Sequence, residues 1–133
     1  MMNKENLEKF LDGVKFDANG LVPAMIQDEK SKEILMLAYM NRESLAKTLE
    51  TGKTYFYSRS RNKLWLKGES SGHIQTVKSV YFDCDCDAIL ILAHQAGGAC
   101  HTGYYSCFYR KLEKDGAVTT TGKKVFDPDK TYG

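Results

Sequence analysis

A single α+β domain built on a mostly antiparallel sheet is predicted for this chain, and three observations carry the prediction. Segments rich in apolar, β-branched or aromatic residues and bounded by turn residues recur at 21–27, 33–39, 53–59, 76–82 and 88–93. Only two stretches read as helices, both short and both in the N-terminal half. The 133 residues are 42% hydrophobic and 27% charged, which suits one soluble globule with a core of its own and leaves too little chain for two.

Each element has a local cause. Residues 3–11 form a helix, with Asn3 available as its cap and Leu7, Phe10 and Leu11 on one face. Residues 21–27 and 33–39 are strands joined by the charged turn Asp28-Glu29-Lys30-Ser31-Lys32. Asn41 caps a second helix over 42–51, where Leu45 and Leu49 share a face and Gly52 stands at the C-terminal cap. Tyr55, Phe56 and Tyr57 make 53–59 a strand, residues 64–66 supply another, and Gly68 and Gly72 break the chain into a loop. Residues 76–82 are extended. The apolar run 88–93 is a buried central strand, ended by Gly97-Gly98. A last strand is expected over 104–112. The polar remainder, 113–133, is expected to be irregular or at most a weak hairpin, so the domain proper spans 1–112.

A net charge of +2 singles out no class of partner and lacks the basic bias of a nucleic-acid binder. Residues 1–10 carry Lys4, Glu5, Glu8 and Lys9 and no apolar stretch, unlike a secretory signal. No apolar run approaches the roughly 20 residues of a membrane-spanning helix. The expectation is a cytoplasmic protein in a reducing compartment. Its four cysteines are then reduced, metal-bound or catalytic rather than paired in disulfides.

Chemistry concentrates in three places. In Asp83-Cys84-Asp85-Cys86-Asp87, an extended backbone sends the three carboxylates to one face and the two thiols to the other. Three like charges repel, and a hard cation such as Mg²⁺ or Ca²⁺ relieves that repulsion; an acidic edge in solvent is the plainer alternative. The cysteines lack the C-x-x-C pairs of structural zinc sites. Three thiolates with an open fourth position would suit a catalytic zinc, but spacing leaves buried, unligated thiols equally open. His101 follows Cys100 in the glycine-flanked stretch Gly97-Gly98-Ala99-Cys100-His101-Thr102-Gly103, where it is placed to act as a general base or a ligand. Between Ser58 and His73, cations, hydroxyls and glycines gather around Trp65, a composition that suits phosphate oxygens and a stacked base.

Several ordered motifs resemble one family. They are Gly20-Leu21-Val22-Pro23-Ala24; Leu35-Met36-Leu37-Ala38-Tyr39-Met40-Asn41; Tyr57-Ser58-Arg59-Ser60-Arg61; Trp65-x-Lys67-Gly68-Glu69-x-Ser71-Gly72-His73; Asp83-Cys84-Asp85-x-Asp87; and Ala99-Cys100-His101-Thr102-Gly103 with Ser106-Cys107-Phe108. Together they look like phosphoribosyl-AMP cyclohydrolase of histidine biosynthesis. The resemblance implies hydrolytic opening of the adenine ring of phosphoribosyl-AMP between N1 and C6, the third step of that pathway. It implies zinc on Cys84, Cys100 and Cys107, magnesium on Asp83, Asp85 and Asp87, and a homodimer that shares the zinc site between subunits. Cys86 falls at a position the family leaves variable and is not taken as a ligand. On this basis His101 is the expected catalytic residue. Arg59, Arg61, Trp65, Lys67, Glu69, Ser71 and His73 are the expected substrate contacts, and neither nucleic acid nor membrane is an expected partner.

Two other readings compete. A zinc nucleobase deaminase attacks a ring carbon in the same way, but its H-x-E and P-C-x-x-C signature is missing. A small zinc-stabilised RNA-binding module fits the aromatics and cations of residues 55–67, but the three aspartates would repel a phosphate backbone.

Overall fold

The computed structural model describes residues 3–132; Met1 and Met2 of the N-terminal stretch and Gly133 of the polar tail lie outside the described residues. Helix α1 spans Lys4–Gly13 and is capped by the Asn3 side chain, which accepts from the Asn6 amide at 2.8 Å. Strands β1 (Val22–Asp28) and β2 (Ile34–Met40) form an antiparallel hairpin across the charged turn, as the sequence leads one to expect. Helix α2 (Arg42–Thr51) opens on a reciprocal capping box, in which Asn41 and Ser44 each bond the other's amide. It closes on Gly52 at φ 75, the left-handed conformation that favours glycine.

Strands β3 (Tyr55–Ser58) and β4 (Lys63–Leu66) make a separate two-stranded ribbon. Strands β5 (Gln75–Phe82) and β6 (Ile89–Gln95) complete the main sheet, whose order is β2-β1-β6-β5. Its pairings are antiparallel except for β1 against β6, which run parallel. The apolar run therefore does occupy a central position, with Ile89, Ile91 and Ala93 buried. The core joins these residues to Val22, Ala24 and Ile26 of β1, to Leu35, Met36 and Met40 of β2, and to Leu7, Leu11 and Leu45 of the helices. Phe56 of β3 is fully buried in the same cluster, which anchors the ribbon to the domain.

Three expectations need correction. The stretch 104–112 is not one strand; only Arg110–Leu112 (β7) is, and it pairs with Val118–Thr120 (β8). Tyr104 stacks on Tyr109 with ring centroids 3.9 Å apart, whereas an extended chain would hold residues five apart at roughly 17 Å. The chain bends because Ala99 and Cys100 donate their amides to the carbonyls of Tyr105 and Tyr104. The tail supplies only the second strand of the exposed β7–β8 hairpin, and it also carries a third helix, α3 (Pro128–Tyr132), beyond the two foreseen. Asp127 starts it by accepting from the Asp129 amide at 3.0 Å, and proline suits the first helical position. Finally, residues 83–87 are a turn between β5 and β6 and not an extended segment.

Among the described residues no helix is long and apolar enough to cross a membrane.

Candidate active site

The β3–β4 ribbon, the loop after it and the loop after β6 enclose a cleft of about 470 Å³. Arg61, Trp65, Lys67, Glu69, Ser71 and His101 all line it. Ser58, Ser60, Lys63 and Ser70 line it as well, and the sequence reading did not single them out. Their signal was present, since Ser58 and Ser60 alternate with the two arginines, Lys63 precedes Trp65 by two residues and Ser70 lies between Glu69 and Ser71. Trp65 is backed by the buried ring of Phe56, centroids 5.1 Å apart, so its indole is held from behind. The loop turns tightly at Gly68, φ 88, where a Cβ would meet the Ile74 amide nitrogen at 2.6 Å.

Lys67 connects this cleft to two of the cysteines. Its ammonium donates to the Ala99 carbonyl. Burial lowers its pKa, while the charges of Cys107 and Cys100 work in the opposite direction. Cys107 as a residue is exposed, yet its thiol lies among Cys100 and Lys67. Burial pushes that thiol up to about 11, and proximity to Cys100 adds to the shift against the pull of Lys67. Cys107 is held there because its amide donates to the Leu35 carbonyl at 2.7 Å and the buried Ser106 hydroxyl donates to the Ile34 carbonyl at 2.6 Å. Cys84 belongs to the β5–β6 turn. Among the described residues, the three candidate thiols do not gather as a group within 4.8 Å of one another.

The three carboxylates do gather. Oxygens of Asp83, Asp85 and Asp87 lie within 4.8 Å of one another. The turn achieves this and not strand alternation: Cys86 takes φ 61, its amide donates to the Asp83 carbonyl, and the Asp87 amide donates to the Asp83 carboxylate at 3.0 Å. Hydrogen bonding to Asp85 and Asp83, with burial and repulsion from the same two groups, raises Asp87 to about 6. A cluster that retains a proton so far above the ordinary range is one that a divalent cation would relieve.

The remaining site candidates fall elsewhere. Arg59 lines an adjoining hollow, its guanidinium 4.2 Å from the centroid of the Tyr39 ring. His73 lines neither cavity. Its ring packs where a Cβ on Gly97 would stand, 2.5 Å from the imidazole, and its buried Nδ1 has no hydrogen-bond partner among the described residues. A buried polar chain that the sequence reading missed fixes its backbone. Thr54 donates to Gln75, Gln75 donates to Gln95, and Gln95 donates to the carbonyls of His73 and Ala96. Both loops beside the cleft thereby hang from one fully satisfied network.

A family model for phosphoribosyl-AMP cyclohydrolase matches residues 36–109. The chain belongs to the phosphoribosyl-AMP cyclohydrolase family. The matched segment contains the whole lining of the cleft, the acidic turn and all four cysteines. A phosphoribosyl-AMP cyclohydrolase of Pelotomaculum thermopropionicum is 56% identical over 123 residues, covering 92% of this chain and 95% of its own. One from Methanococcoides burtonii is 57% identical over 122 residues, covering 92% and 98%. One from Chlorobium phaeovibrioides is 52% identical over 134 residues, covering 100% and 98%. The likeness to these cyclohydrolases thus runs past the segment that the family model matches and into the tail.

Proposed function

We propose that the protein hydrolyses phosphoribosyl-AMP, opening its adenine ring between N1 and C6 in the third step of histidine biosynthesis, in the cytoplasm. The observation that carries the proposal is the cleft, where an exposed imidazole, an indole face and a set of cations and hydroxyls share one wall system. A phosphorylated purine needs these groups: a surface to stack on, donors for phosphate oxygens, and a proton carrier beside the ring.

In the reaction, the oxygen of water adds to C6 and the C6–N1 bond breaks. C6 keeps its amino group and becomes the carboxamide carbon, while N1 takes up a proton and stays with the formimino carbon. His101 takes the proton from water at its imidazole and returns one to N1. Trp65 holds the ring by its face. Arg61, Lys67 and Ser71 contact the substrate's polar groups, and Glu69 offers the lining a carboxylate for ribose hydroxyls.

Two metal sites fit the donors present. Cys100 and Cys107 are adjacent soft donors with Lys67 nearby to offset thiolate charge, and they would hold zinc together with Cys84 from a second copy of the chain. Asp83, Asp85 and Asp87 are crowded hard donors that would hold magnesium. A zinc ion so bound supplies Lewis-acid activation of water at neutral pH. The protein then works as a homodimer, since one chain brings only two of the three thiols together.

The test is to incubate the protein with phosphoribosyl-AMP and Mg²⁺ and follow the ultraviolet spectrum for ring opening. A spectrum that does not change in the presence of both metals refutes the proposal.

A further inference from the structure

The turn between β3 and β4 carries two arginines that point into different spaces. Arg61 lines the cleft that holds His101. Arg59 lines the adjoining hollow of about 610 Å³, whose far wall is Leu37, Ala38 and Tyr39 of β2. The turn itself is held in shape. Asn62 adopts φ 51, the Tyr57 hydroxyl donates to the Asn62 side chain at 3.2 Å, and the Arg61 amide donates to the Ser58 hydroxyl at 3.2 Å. The Tyr39 ring holds the Arg59 guanidinium against β2 by a cation–π contact. Neither arginine forms an ion pair among the described residues; the pairs there belong to Arg42 and Lys111. Both guanidiniums therefore keep their forked donors for another anion.

The two spaces are not independent. Ser58, Ser60 and Trp65 line both. A single molecule lying along Trp65 can reach into each. The substrate in the proposed reaction is an adenine that bears two ribosyl phosphates, on N1 and on N9, at opposite edges of the purine. Two phosphate groups repel one another, and attachment at opposite edges carries them apart. One cluster of cations could gather both only by folding the molecule on itself.

We infer that the hollow containing Arg59 is a second phosphate subsite, so that Arg59 and Arg61 each hold one of the substrate's two phosphates across Trp65. The inference rests on the proposed reaction for the identity of the ligand. It also accounts for two arginines of one turn lining different spaces. Such a site selects a bis-phosphorylated purine over a mononucleotide, since AMP can fill only one subsite.

The experiment uses Arg59→Gln and Arg61→Gln in the metal-loaded protein, with AMP and ribose 5-phosphate as single-phosphate probes. Both substitutions lie in an exposed turn, and unchanged melting temperatures check the fold. Each is expected to raise KM for phosphoribosyl-AMP about tenfold or more, the effect of losing a charge-assisted phosphate contact, with kcat changed less. One substitution is expected to weaken AMP binding and leave ribose 5-phosphate unaffected, and the other to do the reverse. The subsite is overturned if Arg59→Gln leaves KM unchanged, if one substitution weakens both probes, or if neither probe binds the wild-type protein. Failure of the wild-type protein to turn over phosphoribosyl-AMP strikes the proposed reaction instead. Calorimetric titration with the two probes then still tests the division between the arginines.

Discussion

Phe126 meets the imidazole of His73 edge-on, ring centroids 4.4 Å apart and planes at 68°. The contact joins the tail to the loop that follows β4. Beside it, the amides of Val125 and Phe126 donate to the Gly103 carbonyl, and the Tyr105 amide donates to the Lys123 carbonyl. Gly98 is pressed so closely by Val125 and Phe126 that a Cβ there would meet both at 2.9 Å. The loop bearing Cys100 and His101 is therefore braced from behind by residues 123–126, beyond the segment that the family model matches.

Removing that brace is expected to loosen the loop without emptying the cleft. Phe126→Ala should cost about 1 kcal/mol of stability, as for loss of an aromatic pair. It should lower kcat roughly tenfold through misplacement of His101 while KM for phosphoribosyl-AMP stays within about twofold. Phe126→Tyr should restore most of kcat. Steady-state kinetics in which KM rises and kcat holds would contradict a positioning role.

His101→Gln is expected to keep the fold and any bound metal but to lose at least about a hundredfold in turnover, the low end for general acid–base catalysis. Metal analysis and turnover on the same sample separate the outcomes. Near-normal turnover makes His101 a plain loop residue, and loss of metal makes it a ligand.

Cys84→Ala and Cys107→Ala homodimers should each be inactive if the thiol site is completed by a second copy. Co-refolding equal amounts gives about half mixed dimers by random pairing, each with one intact site of two, and recovers about a quarter of wild-type activity. Mixed dimers confirmed by mass spectrometry but inactive would exclude a shared site.

The raised Asp87 sets a pH dependence whose sign follows from linkage. Its folded-state value of about 6 lies above the ordinary carboxylate range near 4. In metal-free protein its contribution to stability is complete below about pH 4 and is lost as pH rises through about 6. The same proton must leave before a cation takes all three carboxylates. Mg²⁺ affinity should therefore climb between about pH 5 and pH 7 and then level off, and Asp87→Asn should flatten the climb. Calorimetric titration that finds the same pH dependence in both proteins removes Asp87 from the account.

Local signals in the chain were enough to foresee the caps at Asn3, Asn41 and Gly52, the β1–β2 hairpin and the buried run of β6, because each follows from neighbours within a few residues. Six of the candidate contacts and catalytic groups met in one cleft for a similar reason: they come from one ribbon, its following loop and a single glycine-flanked loop. The misreadings arose where distant partners prevailed over local preference. Residues 104–109 have strand-forming composition, but the carbonyls of Tyr104 and Tyr105 accept from the amides of Cys100 and Ala99, and the rings of Tyr104 and Tyr109 stack on each other. The aspartates converge through a turn whose hydrogen bonds close on Asp83, an outcome that alternation along a strand could only imitate. The parallel pairing of β1 with β6, the links of the polar chain among Thr54, Gln75, Gln95 and His73, and the return of Phe126 to the loop each join residues at least twenty positions apart. Those contacts exist only once the sheet has assembled, since chain closure over such distances must be offset by burial that no single segment supplies.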